Sequence, residues 1–249
     1  MRDELRALAR DPAHAAILLD FDGTLSDIVA RPDLARPVPG APEVVAALAK
    51  RFGLVAVVSG RPTDEVRSLL GVDGVRYAGH YGAEEEGAPL PDGVVSGARA
   101  TSASVWGARV EEKRSSVAVH FRQAADPEEA RAALRPPLER LAAQHDLEVL
   151  EGKMVLELVP EHRPRKGEAV ERLVAQSSAN AALYAGDDLA DLEAFAALDR
   201  LKVKGIATVK VAVRGAEEWT DLLTAADLVA DSPSGLVEML TQLSSGAHG

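Results

Sequence analysis

The apolar run "AILLDFDGTLSD" (16–27) ends in two acids one residue apart, Asp20 and Asp22, followed by Gly23 and Thr24. Burying a carboxylate is costly unless a cation or a set of donors meets it, so the pair implies partners elsewhere in the chain. Three further segments begin or end in groups of the right kind: Ser59 after "LVAVV", Lys166 opening "KGEAVERLVAQ", and Asp187-Asp188 after "ALYAG". Clustered carboxylates repel one another or share protons unless a cation sits among them. All-oxygen ligation suits Mg²⁺, which takes one or two carboxylates and completes its shell with water and substrate phosphate. An ionised Asp20 is then a competent nucleophile toward phosphorus. Asp22 can give a proton to the leaving oxygen and take one from water. Ser59 and Lys166 can hold the other phosphate oxygens, and Gly23 permits the sharp turn from strand to loop. A calcium loop fits poorly, because Gly23 falls at position four from Asp20 rather than six, and Arg31 rather than Glu stands at position twelve.

These groups act together only if the fold collects them. "AAILLD" and "LVAVVSG" are continuous rather than alternating apolar runs, as expected of parallel strands covered on both faces. "PGAPEVVAALAKRFG" and "PTDEVRSLLG" between and after them read as helices. Strand and helix alternate with short links, which predicts an α/β fold with a doubly wound parallel sheet. Reactive groups in such sheets gather at the carboxyl ends of the strands, where Asp20, Ser59 and Asp187 fall.

After about Gly82 the rhythm changes. "VEEKRSSVAVHFR" reads as strand, with Val117, Val119 and Phe121 alternating. "PEEARAALRPPLERLAAQ" reads as a helix that Pro136 and Pro137 are expected to kink or break. "LEVLEGKMVLELVP" reads as two strands joined at Glu151-Gly152-Lys153. The expected layout is a core over residues 1–97 and 164–249, interrupted by an inserted α/β cap domain at 98–163.

A chain of 249 residues with a formal charge of −11 lacks the basic face of a nucleic-acid binder. It contains no cysteine, which excludes disulfides and thiolate chemistry. The N-terminal "MRDELRALARDPAHA" has no signal-peptide core, and no apolar run approaches the ~20 residues of a membrane span. A soluble cytoplasmic protein is expected, with no nucleic-acid or membrane partner.

In the order and placing of these motifs the sequence resembles the haloacid dehalogenase (HAD) superfamily of phosphatases. "LLDFDGTLSD", "VVSGR", Lys166 in "RKGEAV" and "GDDLADLEAF" look like its four motifs. The resemblance implies a Rossmann-like HAD core with a cap, Asp20 as nucleophile, Asp22 as acid/base, and Thr24, Ser59, Gly60, Arg61 and Lys166 around the phosphate. It implies Mg²⁺ held by Asp20, the backbone carbonyl of Asp22, and Asp187, with Asp188 and Asp191 in support. Within the superfamily the chain is most similar to the trehalose-6-phosphate phosphatases, through "AGHYGAE", "VEEKRSSVAVHFR", "EGKMVLELVP" and "RKGEAVERLV". That similarity implies a small sugar phosphate as substrate, sugar hydroxyls held by Glu111, Lys113 and Glu157, and a functional link to a trehalose-6-phosphate synthase. Ala190 and Leu192 stand where the family has Thr and Glu, and Val159 where a basic residue is common. They bear on the substrate rather than the chemistry, and leave open a trehalose-like pseudo-disaccharide phosphate, sucrose phosphate or glucosyl-3-phosphoglycerate.

Overall fold

The structure, a computed structural model, describes residues 3–29, 31, 34–82, 90–113, 115–152, 154–161, 165–215 and 219–246. Helix α1 (Arg6–Arg10) leads into β1 (Ala15–Leu19), followed by α2 (Ala41–Arg51), β2 (Leu54–Val58), α3 (Thr63–Leu70) and β3 (Arg76–Ala78). A second series then intervenes: α4 (Val94–Ala103), β4 (Arg109–Glu112), β5 (Val117–His120), α5 (Pro127–Ala143), β6 (Leu147–Gly152) and β7 (Val155–Pro160). The first rhythm resumes with α6 (Lys166–Ser177), β8 (Ala181–Gly186), α7 (Asp191–Val203) and β9 (Ala207–Val213). It closes with α8 (Thr220–Ala225), β10 (Leu228–Ala230) and α9 (Pro233–Ser245).

Six strands pair in parallel, in the order β10-β9-β8-β1-β2-β3. The central strand β1 is buried along its whole length, as its unbroken apolar run requires. Its side chains still alternate between two layers. Ala15, Ile17 and Leu19 join a core with Val45 and Leu48 of α2 and Leu236 and Leu240 of α9. Ala16 and Leu18 join another with Val170 and Leu173 of α6 and Phe195 and Leu198 of α7. The same alternation on β8 turns Tyr184 toward the α6 and α7 layer. No helix among the described residues is long and apolar enough to cross a membrane.

The chain divides into two units, Met1–Gly82 with Pro164–Gly249, and Ala83–Arg163. Helix α4 straddles the expected break at 97–98 but belongs whole to the second unit, because Val94 and Ala98 pack among β5 and α5 side chains. The second unit is an antiparallel sheet in the order β4-β5-β7-β6. Val117, Val119, Leu156 and Leu158 bury one of its faces against Leu134 and Leu138 of α5. On the other face Glu111 pairs with Ala118, and Ala118 with Glu157, directly across the strands.

Pro136 and Pro137 do not break α5, which runs on through both. The side chain of Asp126 caps its first turn by accepting the N–H groups of Glu128 and Glu129 at 2.9 and 3.0 Å. Ala130, Leu134, Leu138 and Ala142 form a buried stripe at four-residue spacing. Burying each leucine contributes about 1.5–3 kcal/mol, which offsets an internal proline's cost of roughly 3 kcal/mol. Exposed Pro136 packs on little, so Pro136→Ala is expected to stabilise the protein by about 1–3 kcal/mol in chemical denaturation. A destabilised variant would mean that the ring, not the stripe, holds this turn.

Candidate active site

Strand β1 delivers Asp20, whose backbone N–H donates to the carbonyl of Ala185 on β8 at 2.9 Å. The neighbouring strand delivers Asp187, and Lys166 opens α6. All three side chains are buried. Gly23 lies in the left-handed region (φ +71°), and a Cβ there would meet Asp187 Oδ2 at 1.9 Å. Only glycine lets the first acidic loop approach the Asp187 carboxylate this closely. The Thr24 hydroxyl, expected to face phosphate, donates to Asp187 Oδ1 at 3.3 Å.

The organising group is Asp191, which is fully buried at the start of α7. Its Oδ1 accepts Lys166 Nζ and the Tyr184 hydroxyl, both at 2.6 Å. Its Oδ2 accepts the backbone N–H groups of Asp187 at 2.8 Å and Asp188 at 2.9 Å. Gly186 makes room for it, since a Cβ there would lie 2.1 Å from Asp191 Cγ. Asp191 thus orients the loop that carries the acidic pair. Asp188 turns one oxygen back to the helix start, accepting the N–H groups of Ala190 at 2.9 Å and Asp191 at 3.2 Å. The two departures from the family pattern stay out of this network: Ala190 uses its backbone, and Leu192 packs on the apolar layer.

Lys166 Nζ also lies 3.3 Å from Asp20 Oδ2. Asp20, Asp187 and Asp191 offer carboxylate oxygens within 4.8 Å of one another. One ammonium cannot balance three buried carboxylates, and the donor set is all oxygen, so the cluster fits a hard divalent cation. Burial pushes the Asp20 carboxyl well up; Lys166 opposes the shift, and Asp191 and Asp187 add to it. Burial, then Asp191 and Asp188, push Asp187 up to about 7. Burial works against the charge of Lys166, but Asp20 and Asp191 outweigh it and hold the ammonium charged.

Asp22 is engaged differently from its neighbour. Arg61 grips it bidentately, Nε to Oδ2 at 2.6 Å and Nη2 to Oδ1 at 2.7 Å, and is itself bound by Glu65. Ser59 is buried at the end of β2, its Oγ accepting the Arg61 N–H at 3.2 Å. Beside Gly60 stands Tyr81, over whose ring Lys166 Nζ lies 5.4 Å from the centroid.

In the second unit Lys113 Nζ donates to Glu157 Oε1 at 2.9 Å, and the Ser116 hydroxyl donates to the same oxygen at 2.6 Å. Glu111 meets His120 Nε2 at 2.7 Å. The three residues expected to hold sugar therefore fall in two hydrogen-bonded groups, Lys113 and Glu157 with Ser116, and Glu111 with His120; Ser116 and His120 are not singled out by the motifs. Ser116 and His120 sit in the quoted strand, but only the hairpin register reveals their partners. Tyr184 was equally hidden, three residues ahead of Asp187 in a run read as apolar strand.

A family sequence model described as "Trehalose-phosphatase" matches residues 18–90 and 94–227. A trehalose-phosphate phosphatase of Mycobacterium avium (strain 104) is 37% identical over 92% of this chain and 62% of its own length. One of Mycobacterium leprae is 35% identical over 94% of this chain and 58% of its own. The chain thus spans about three-fifths of these relatives' length. A solved structure of Aspergillus fumigatus trehalose-6-phosphate phosphatase superposes with a TM-score of 0.62 over 99% of this chain and 98% of that one, at 23% identity. That likeness, with one at TM-score 0.60 to a haloacid dehalogenase-like hydrolase from Bacteroides thetaiotaomicron, establishes the HAD-like fold with a cap.

The raised acids carry a signed consequence. Asp187 binds its proton more tightly folded, at about 7, than its ordinary 3.8, so this contribution to stability is present at low pH and lost as pH rises toward 7. In chelator-treated protein the melting temperature should fall across that window, and Asp187→Asn should flatten the fall. A divalent cation at 100 times its Kd should add about 2.7 kcal/mol of stability at the alkaline end. Cation-insensitive melting there would remove the metal reading.

Proposed function

The chain belongs to the trehalose-phosphatase family, and from that premise we propose that it is a Mg²⁺-dependent phosphatase that hydrolyses trehalose 6-phosphate to trehalose and phosphate. The observation that carries this reading is the buried pair of Asp20 and Lys166, 3.3 Å apart at the edge of the acidic cluster. An Asp20 oxygen attacks phosphorus while Lys166, with Ser59 and the backbone at Gly60, holds the phosphate oxygens against anionic repulsion. The phosphorus–oxygen bond to the sugar breaks, and Asp22, which must first take up a proton from solvent once Arg61 releases it, gives that proton to the departing sugar oxygen. Asp22 then takes a proton from water as that water attacks the phosphoryl group on Asp20, which frees phosphate and restores the carboxylate. Because Arg61 engages both oxygens of Asp22, these proton transfers require that ion pair to part when substrate binds. Asp20, Asp187, Asp188 and the backbone carbonyl of Asp22 are the groups that would hold Mg²⁺, whose charge would offset repulsion among carboxylates and phosphate.

Sugar selection falls to Glu111, Lys113 and Glu157. Carboxylates accept and an ammonium donates strong charge-assisted hydrogen bonds to hydroxyl groups. The Lys113–Glu157 pair, with Ser116 on the same oxygen, supports this role because it holds both side chains ready for a polyol.

Phosphate release should be measured on trehalose 6-phosphate beside sucrose 6-phosphate, glucose 6-phosphate and glucosyl-3-phosphoglycerate. A preference for trehalose 6-phosphate, abolished by chelator and restored by Mg²⁺, is expected. Turnover led by another member of the panel would keep the chemistry and replace the substrate. Asp20→Asn should lower kcat by about 10⁴-fold or more, and Asp22→Asn by about 10²–10⁴-fold. Glu111→Ala should compress the ranking among sugars with little loss on a simple aryl phosphate; an unchanged ranking would dismiss Glu111 as a sugar contact.

A further inference from the structure

The segment "AGHYGAE" matches the family, yet the reaction outlined above uses none of its side chains. Its backbone is unusual. His80 (φ 46°, ψ 40°) and Tyr81 (φ 57°, ψ 32°) are consecutive non-glycine residues in the left-handed region. The other such residues described, Asp146, Met154 and Ser178, stand singly. Strained backbone of this kind persists only where its surroundings hold it, and it gathers at ligand-binding positions. Here the loop after β2 provides the hold. The N–H of Tyr81 donates to the Ser59 carbonyl at 3.0 Å and that of His80 to the Arg61 carbonyl at 3.0 Å. Gly79 adds an N–H bond to Thr63 Oγ1 at 3.0 Å.

The strained turn places one side chain. It lays the half-buried Tyr81 ring beside Lys166, with Nζ 5.4 Å from the ring centroid, within range of a cation–π contact. It also sets the phenol against Gly60, where a Cβ would stand 3.1 Å from Tyr81 Oη. Among the described residues that hydroxyl has no hydrogen-bond partner. The ring thus seats the ammonium, and a spare O–H donor stands beside Gly60 on the ring that Lys166 meets, Gly60 and Lys166 being two of the groups assigned to phosphate.

We propose that Tyr81 binds the substrate's phosphate: its hydroxyl donates a hydrogen bond to a phosphoryl oxygen, and its ring fixes the position of Lys166. This rests on the phosphatase reading and extends its phosphate site by a side chain. The ligand is a tetrahedral oxyanion, either the phosphate monoester or the inorganic phosphate it releases. Burial pushes the phenol up, Lys166 opposing, so it remains an O–H donor at neutral pH.

The test compares wild type, Tyr81→Phe and Tyr81→Leu, each loaded with Mg²⁺. Calorimetric titration with inorganic phosphate gives the affinity; kinetics follow on trehalose 6-phosphate and p-nitrophenyl phosphate. A lost hydrogen bond to a charged group corresponds to about tenfold or more in affinity. Tyr81→Phe should therefore weaken phosphate binding by about tenfold and raise KM for both substrates by a similar factor, with kcat within about twofold. Tyr81→Leu should in addition lower kcat, because Lys166 loses its seat. Phosphate affinity of Tyr81→Phe within about twofold of wild type would overturn the assignment. So would a rise in KM confined to trehalose 6-phosphate, which would place the hydroxyl on the sugar. A wild-type protein that neither binds phosphate nor turns over either substrate would overturn the phosphatase reading itself, a result distinct from any difference between the variants.

Discussion

Both oxygens of the Asp191 carboxylate are filled, by an ammonium and a phenol on one side and two backbone N–H groups on the other. Four pieces of chain meet there: the start of α6, the body of β8, the loop after β8 and the start of α7. An unpartnered buried charge would cost several kcal/mol, so a fold that keeps Asp191 inside must keep all four donors in place. The acidic pair and the lysine are consequently positioned by one group that need not touch substrate at all. The same saturation separates Asp191 from Asp20 and Asp187 despite their closeness. Its oxygens are spent on protein donors, whereas theirs keep capacity for a cation.

The cost of such a site is concentrated charge, and the fold manages it by dividing labour. Central parallel strands supply the dry floor that strengthens every electrostatic term. Glycines at positions 23 and 186 leave out side chains whose Cβ would collide with the Asp187 and Asp191 carboxylates. Arg61 engages Asp22 outside the three-carboxylate cluster, which separates the candidate proton carrier from the candidate nucleophile two residues away. The left-handed turn at His80 and Tyr81 spends local backbone energy, roughly 1–2 kcal/mol per residue, on placing one ring. Strain of that size survives because three hydrogen bonds to the loop after β2 and Thr63 determine the turn more than once.

The second unit solves a different problem with different material. An antiparallel sheet with one face under helices leaves its other face free for polar side chains, and there Glu111, Lys113, Ser116, His120 and Glu157 are linked in two hydrogen-bonded groups. The candidate sugar contacts thus belong to one unit and the candidate catalytic acids to the other, so a substitution on this face need not disturb Asp20 or Asp187. Ala190 and Leu192 show the complementary tolerance, since neither side chain enters the acidic network.

Period and order were legible from the chain itself. Continuous apolar runs identify parallel strands, the change after Gly82 marks an inserted unit, and the acids, the hydroxyl and the lysine fall at strand ends or helix starts, the places from which a parallel sheet can gather them. These follow because side-chain alternation and chain order are properties of the local sequence. What the tertiary structure alone decided depends on how side chains of different elements meet. That Asp191 rather than Asp188 closes the acidic triad turns on which carboxylate rotamer meets Lys166 and Tyr184. That Asp22 is bound by Arg61, that Thr24 serves Asp187, and that α5 survives Pro136 and Pro137 are likewise outcomes of packing. The strand pattern states which residues reach the end of the sheet; only the packed core states which oxygen meets which nitrogen there, because that choice is made by side chains brought in from other elements, 25 residues away for Lys166 and Asp191 and 163 for Thr24 and Asp187.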